Sequence, residues 1–129
     1  MELPSVESAV AALSEGPHRP AWAEVDLDGI SHNVKSIREH LSPTTGLMVV
    51  VKANGYGHGA VPVAKAALHS GAQWLGVAIV EEGINLRQAG IKAPILILGV
   101  PPTWQAALVV EHDLRVAVCT WDFAAALAS

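Results

Sequence analysis

Residues 47–59 read LMVVVKANGYGHG, an apolar run followed by a lysine and a glycine-rich segment. Its β-branched run, residues 49–51, predicts a strand buried on both faces, as in a parallel sheet covered by helices. Lys52 follows at the carboxyl end of that strand. Glycines at positions 55, 57 and 59 predict a turn with unusual backbone angles, which presents Tyr56 and His58 as its polar side chains. The stretch therefore joins a buried strand to a candidate reactive group.

The chemistry of Lys52 has two interpretations on pattern alone. A lysine leaving an apolar strand is expected to be partly desolvated, which favours the neutral, nucleophilic amine that forms Schiff bases with carbonyl compounds. Alternatively, its stem packs along apolar atoms while the ammonium reaches water. The glycine turn has neither GxGxxG nor Walker spacing, so it does not decide between the two.

Outside this stretch, short apolar runs alternate with segments of helical periodicity. Residues 74–80, 94–99 and 114–119 predict three further strands, and each of the four strands is followed by a predicted helix. The helix after residue 80 begins with Glu81 and Glu82, whose carboxylates favour a helix amino terminus, and we prefer that structural role to catalysis. Short connections between such units indicate right-handed βαβ crossovers and a parallel sheet. Spacing alone does not separate an open sheet from a barrel.

The start of this pattern is a predicted strand and helix ahead of residue 47. Residues 21–27 alternate between apolar and polar side chains and predict a half-exposed strand, with Glu24 and Asp26 on its wet face. Asp28 is expected to cap the next helix. Apolar residues then recur at helical spacing, namely Ile30, Val34, Ile37 and Leu41.

Length and composition limit the possible functions. A complete (β/α)₈ barrel needs about 250 residues, and this chain has 129. The net charge of −4 gives no basic footprint for nucleic acid. No apolar run has transmembrane length, and Cys119 is the single cysteine, which we expect in the core, so the cytoplasm is the expected location. The six histidines lack metal-ligand spacing, and we expect no metal site.

Three blocks of the sequence resemble one enzyme family. Residues 51–59 resemble the pyridoxal-phosphate attachment signature of bacterial alanine racemases, which are fold-type III enzymes. Residues 21–34 resemble that family's opening block, and residues 81–99 resemble its next one. The likeness extends from about Arg19 to the end, so residues 1–20 are interpreted as an N-terminal extension. Residues 21–129 are interpreted as the incomplete N-terminal portion of the cofactor-binding barrel domain.

The resemblance implies a fold, a cofactor and roles for two residues. The chain would form the first half of a TIM-type (β/α)₈ barrel, with Lys52 at the carboxyl end of the first barrel strand. Lys52 would hold pyridoxal phosphate and act on the D-side α-proton, and Tyr56 would contact the cofactor phosphate. The substrate would be alanine, interconverted between its L and D forms to supply D-alanine for peptidoglycan.

The resemblance also implies a homodimer, in which the second base is a tyrosine from a later domain of the partner subunit. Tyr56 is the only tyrosine here, so a chain of this extent is expected to turn over little substrate. Three alternatives stay open: another fold-type III enzyme such as a decarboxylase, a non-catalytic pyridoxal-phosphate homeostasis protein, and an inert fragment. Residues 56–59 argue against the decarboxylase, and residues 22–28 favour the racemase over the homeostasis protein.

Overall fold

The computed structural model describes residues 23–129. The expected N-terminal extension, residues 1–20, lies outside the described residues. Helices and strands alternate along the described chain, and a short helical turn, Lys52–Tyr56, follows the first strand. The elements are α1 (Leu27–His40), β1 (Met48–Val50), α2 (Ala60–His69), β2 (Trp74–Val77), α3 (Val80–Gln88), β3 (Ile95–Ile97), a 3₁₀ turn (Thr103–Gln105), α4 (Ala106–Glu111), β4 (Arg115–Val116) and α5 (Trp121–Ala128).

The four strands form one parallel sheet in the order β1-β2-β3-β4. Val50 is paired with Gly76, Gly76 with Leu96, and Leu96 with Arg115. Each new strand therefore lies beside the preceding one, as in a barrel wall, whereas a doubly wound sheet reverses its strand order part-way. The predicted alternation of parallel strands and helices is confirmed, and the strand order favours the barrel.

The hydrophobic core lies between the sheet and its helices. Side chains on alternate strand positions point towards α2, α3 and α4, because successive residues of a strand face opposite sides. Leu75, Val77, Ile95 and Ile97 contribute this face of the sheet and are buried. The helices contribute the other half of the core, mainly Val63, Ala64, Val80, Leu86 and Val109.

The opposite side of the sheet is only partly covered, which corrects the expectation that the first strand is buried on both faces. Met48, Trp74 and Leu98 are exposed there, while Val50 and Leu96 are partly buried. We call these five residues the open face. Among residues 23–129 the helices pack on one side of the sheet, which leaves the other side apolar and accessible.

The amino-terminal prediction is wrong in two respects. Residues 23–26 form no strand, and α1 begins at Leu27. Its cap is Asp26 rather than Asp28, since Asp26 Oδ1 accepts hydrogen bonds from the amides of Asp28 (2.9 Å) and Gly29 (3.0 Å). An alternating sequence becomes a strand only where a neighbouring strand pairs with it, and in the described sheet β1 pairs only with β2.

Three further expectations need correction. β4 comprises only two residues, Arg115–Val116, and not the six predicted. Cys119 is exposed, not part of the core, because it lies beyond the end of this short edge strand. Ile37 is also exposed, although Val34 on the same helix is buried as predicted.

Arg87, on α3, forms hydrogen bonds with the loops that precede β3 and β4. Its guanidinium donates hydrogen bonds of 2.8–3.0 Å to the carbonyl oxygens of four residues that precede those strands: Ile91, Ala93, His112 and Asp113. These carbonyls belong to loops at the end of the sheet opposite to Lys52.

No helix in the described part of the chain is long and apolar enough to cross a bilayer.

Candidate functional site

Lys52 lies directly after β1, at the carboxyl edge of the sheet. The pairing of β1 with β2 continues to the preceding residue, because the Val51 amide donates to the Gly76 carbonyl at 2.8 Å. Val51 is fully buried towards the helices. Strand alternation therefore assigns Lys52 to the side of the open face, and its side chain is partly buried.

The residues after Lys52 form a left-handed helical turn. The backbone angles are φ 50, ψ 49 at Ala53, φ 54, ψ 45 at Asn54 and φ 64, ψ 38 at Gly55, and Tyr56 has φ 54. Left-handed helical conformation costs an ordinary L-residue about 1–2 kcal/mol, so Ala53 and Tyr56 are strained here. The glycine pattern predicts unusual angles at the glycines, but Ala53 and Tyr56 adopt them as well.

Hydrogen bonds hold this turn from both ends. The Gly55 amide donates to the Val51 carbonyl at 2.9 Å, and the Gly59 amide donates to the Asn54 carbonyl at 2.8 Å. The Asn54 side chain also accepts from the amide of Ala60, at 3.0 Å, and so ties the turn to the start of α2. Gly55 is buried, and a methyl group on it would lie 3.3 Å from the Ala60 nitrogen.

Glu82 connects the turn to the next strand. Its Oε1 accepts a hydrogen bond from the Ala53 amide, and its Oε2 accepts one from the Ala78 amide, each at 2.7 Å. Glu82 lies in the first turn of α3, as predicted, but its contact with Ala53 spans 29 positions. Helical periodicity reports neighbours three or four residues apart, so it could not reveal this contact.

Tyr56 and His58 occupy the outer part of the turn. Tyr56 is 60% exposed, so its phenol is available to a ligand. The Nδ1 of His58 lies 3.2 Å from the carbonyl oxygens of both Gly55 and Tyr56. Those contacts favour a role for His58 in shaping the turn over that of an ordinary surface residue.

Two cavities lie near this end of the sheet. One, of about 420 Å³, adjoins the turn and is lined by Asn54, Ala60, Val61, Glu82 and Asn85. The other, of about 300 Å³, lies beyond β2 and β3, where Ile79, Val100 and Trp104 contribute to its wall. Neither is lined by Lys52 or Tyr56. Within residues 23–129, no three histidine, cysteine or acidic residues are grouped to hold a metal ion.

Residues 25–129 match the family model of the alanine racemase N-terminal domain. The chain belongs to the alanine racemase family. It is 54% identical over 109 residues to the alanine racemase of Symbiobacterium thermophilum, covering 84% of this chain and 29% of that protein. It is 63% identical over 83 residues to the alanine racemase of Nostoc sp., covering 64% of this chain and 22% of that one.

Solved alanine racemase structures have the same fold over this region. The alanine racemase of E. faecalis superposes with a TM-score of 0.82 at 46% identity, covering 87% of this chain and 30% of that chain. The Bacillus anthracis enzyme, solved with bound L-Ala-P, gives a TM-score of 0.81 at 44% identity over 84% of this chain. The family resemblance and the predicted fold, the first part of a TIM-type barrel, are confirmed. The chain spans less than a third of the length of these alanine racemases.

Proposed function

We propose that this chain is the cofactor-attachment part of a pyridoxal-phosphate-dependent alanine racemase, an isomerase that interconverts L- and D-alanine. The observation that carries the proposal is the position of Lys52 at the carboxyl end of β1, in a chain that matches the alanine racemase family over residues 25–129. The carboxyl ends of the strands are where barrel enzymes build their active sites.

The side chains of the left-handed turn fit pyridoxal phosphate chemically. Lys52 offers a primary amine for the cofactor aldehyde, and the exposed Tyr56 offers a phenolic hydroxyl that can donate to a phosphate oxygen. When bound, the cofactor supplies an electron sink that stabilises the negative charge left on the substrate when its α-proton departs. A lysine and a phosphate-binding hydroxyl on one short turn are thus a suitable donor set.

Lys52 and Tyr56 have separate roles in this proposal. The amine of Lys52 holds the cofactor and later moves a proton at the α-carbon on the D side of the substrate. The hydroxyl of Tyr56 orients the cofactor by its phosphate. Glu82 holds the backbone between these two residues by accepting from the Ala53 amide, and Asn54 ties that backbone to the start of α2 by accepting from the Ala60 amide.

Inversion at the α-carbon requires a second base on the opposite face of the substrate. A phenol is the expected group, and Tyr56, the single tyrosine of the sequence, already serves the phosphate. We therefore expect this chain alone to bind the cofactor and to racemise alanine poorly. A homodimer, a cytoplasmic location and the supply of D-alanine for peptidoglycan belong to the same proposal and rest on the family resemblance.

The racemase is preferred to the other pyridoxal-phosphate proteins considered. A decarboxylase or a homeostasis protein would also use a lysine at the end of a barrel strand. The relatives reported above are named alanine racemase at 44–63% identity, and this supports racemisation as the activity of the family to which the chain belongs.

A racemase assay tests the proposed limits of the chain. Purified chain with pyridoxal phosphate and L-alanine is expected to form D-alanine at nearly the same rate as its Lys52→Ala variant, since the second base is missing. A sample of the chain that retains the cofactor is the positive control for loading. Appreciable D-alanine formation that disappears in Lys52→Ala would support the racemase chemistry but contradict the requirement for a second base outside this chain.

A further inference from the structure

We propose that Glu82 is a positioning residue that fixes the backbone of Lys52 and Ala53 for cofactor attachment. This inference rests on the proposed function for its consequence and on the geometry of Glu82 for its mechanism. The Glu82 carboxylate accepts hydrogen bonds from the backbone amides of Ala53 and Ala78, each at 2.7 Å. It therefore joins the residue that follows Lys52 to the carboxyl end of β2.

The Ala53 amide is the first donor of the left-handed turn. Ala53 itself has φ 50 and ψ 49, an unfavourable conformation for a residue with a side chain. A hydrogen bond from an amide to an ionised carboxylate is shorter and stronger than one to a neutral acceptor. Glu82 thus stabilises the turn at the peptide bond that Lys52 shares with Ala53.

Capping of α3 accounts for only half of this geometry. A glutamate at the third helical position commonly reaches back to an amide just before the helix, and the bond to Ala78 resembles that arrangement. The bond to Ala53 has no such local function, because Ala53 belongs to another βα unit. If Glu82 only capped α3, its substitution would not affect cofactor attachment at Lys52.

Glu81 provides a matched control on the same helical turn. It carries the same charge, is exposed, and its Oε1 accepts a hydrogen bond of 2.7 Å from Gln105 Nε2. It makes no contact with Ala53 among its hydrogen bonds. Glu81→Gln and Glu82→Gln therefore remove the same charge from the same helix end, but only Glu82→Gln leaves a single side-chain oxygen to accept from the two amides of Ala53 and Ala78.

The test combines cofactor trapping with amide hydrogen exchange on the 129-residue chain. Pyridoxal phosphate is titrated into wild type, Glu82→Gln, Glu82→Ala and Glu81→Gln, and the adduct on Lys52 is fixed with borohydride and quantified by peptide mass. We expect the half-saturating cofactor concentration to rise about 10-fold or more in Glu82→Ala, less in Glu82→Gln, and less than about twofold in Glu81→Gln. Melting temperatures are recorded for all four proteins.

Hydrogen exchange at Ala53 separates the possible outcomes. Exchange of this amide should accelerate about 10-fold or more in Glu82→Ala and stay unchanged in Glu81→Gln. An exchange rate of the Ala53 amide that is unchanged in Glu82→Ala would overturn the positioning role. It would also be overturned if cofactor trapping fell in step with melting temperature, and to the same degree in the Glu81 and Glu82 variants. If wild type traps no cofactor while Ala53 protection still depends on Glu82, the positioning role stands and the proposed cofactor function of the chain fails.

Discussion

Lys52 precedes a run of backbone that L-amino acids seldom adopt. Ala53, Asn54 and Tyr56 all have positive φ angles, and only Asn54 is of a type that tolerates them well. Strain of this kind persists where surrounding contacts determine the conformation, and it is concentrated at functional sites. In this chain two side chains make such contacts. Glu82 accepts a hydrogen bond from the Ala53 amide at the start of the turn, and Asn54 accepts one from the Ala60 amide just beyond its end.

Substitution of Tyr56 tests its proposed contact with the cofactor phosphate. Tyr56→Phe removes one hydroxyl from a side chain that is 60% exposed, so folding should be unaffected. A hydrogen bond to a charged group contributes about 1.5–3 kcal/mol, so the affinity for pyridoxal phosphate should fall about 10- to 100-fold. The measurement is a cofactor titration followed by absorbance.

Pyridoxal, which lacks the phosphate, is the matched ligand control for this variant. Wild type and Tyr56→Phe should bind pyridoxal equally well. An equal loss of affinity for both compounds would place Tyr56 somewhere other than against the phosphate.

At the scale of elements, α3 packs against Leu114, the residue just before β4. A methyl group on Gly83 would lie 2.9 Å from Leu114 Cδ2, and Leu114 is buried. Gly83→Ala should therefore lower the free energy of unfolding by about 1–3 kcal/mol through overpacking. Chemical denaturation followed by circular dichroism measures the change.

Gly46→Ala is the control for that substitution, because its added methyl group would meet only Gln73 Oε1 at 3.9 Å. It should leave the free energy of unfolding within about 0.5 kcal/mol of wild type. Equal effects of the two substitutions would show that α3 is free to move away from Leu114.

Helices and strands were predictable where local sequence decides them. The start of α5 follows from Thr120, whose Oγ1 accepts a hydrogen bond from the Phe123 amide. Residues 23–26 form no strand despite their alternating pattern, because pairing with another strand, and not alternation alone, makes a strand. The position of Lys52 was predictable from the apolar run before it, whereas the Glu82 contact depends on tertiary structure that periodicity does not encode.

For the whole molecule, the open face and the sheet edges are the dominant features. β1 and β4 each pair on one side only within the described sheet, and Met48, Trp74 and Leu98 are exposed beside them. Unpaired strand edges and contiguous apolar surface promote association. The chain should therefore self-associate in a concentration-dependent manner.

Sedimentation velocity over a range of protein concentrations measures this association. Trp74→Glu places a charge on the open face and should shift the population towards monomer, whereas the same change at exposed Trp104, outside that face, should not. A monodisperse wild-type monomer with a cooperative melt would instead indicate a self-contained sheet.

Attachment of pyridoxal phosphate to Lys52, at the carboxyl end of β1, can be tested with one absorbance experiment. Absorbance of the purified chain with the cofactor is recorded before and after borohydride, beside that of Lys52→Ala. We predict a band near the visible region that borohydride abolishes, leaving the cofactor fixed on the peptide that contains Lys52. Absence of an adduct, or an adduct that is equally strong in Lys52→Ala, would contradict attachment at Lys52.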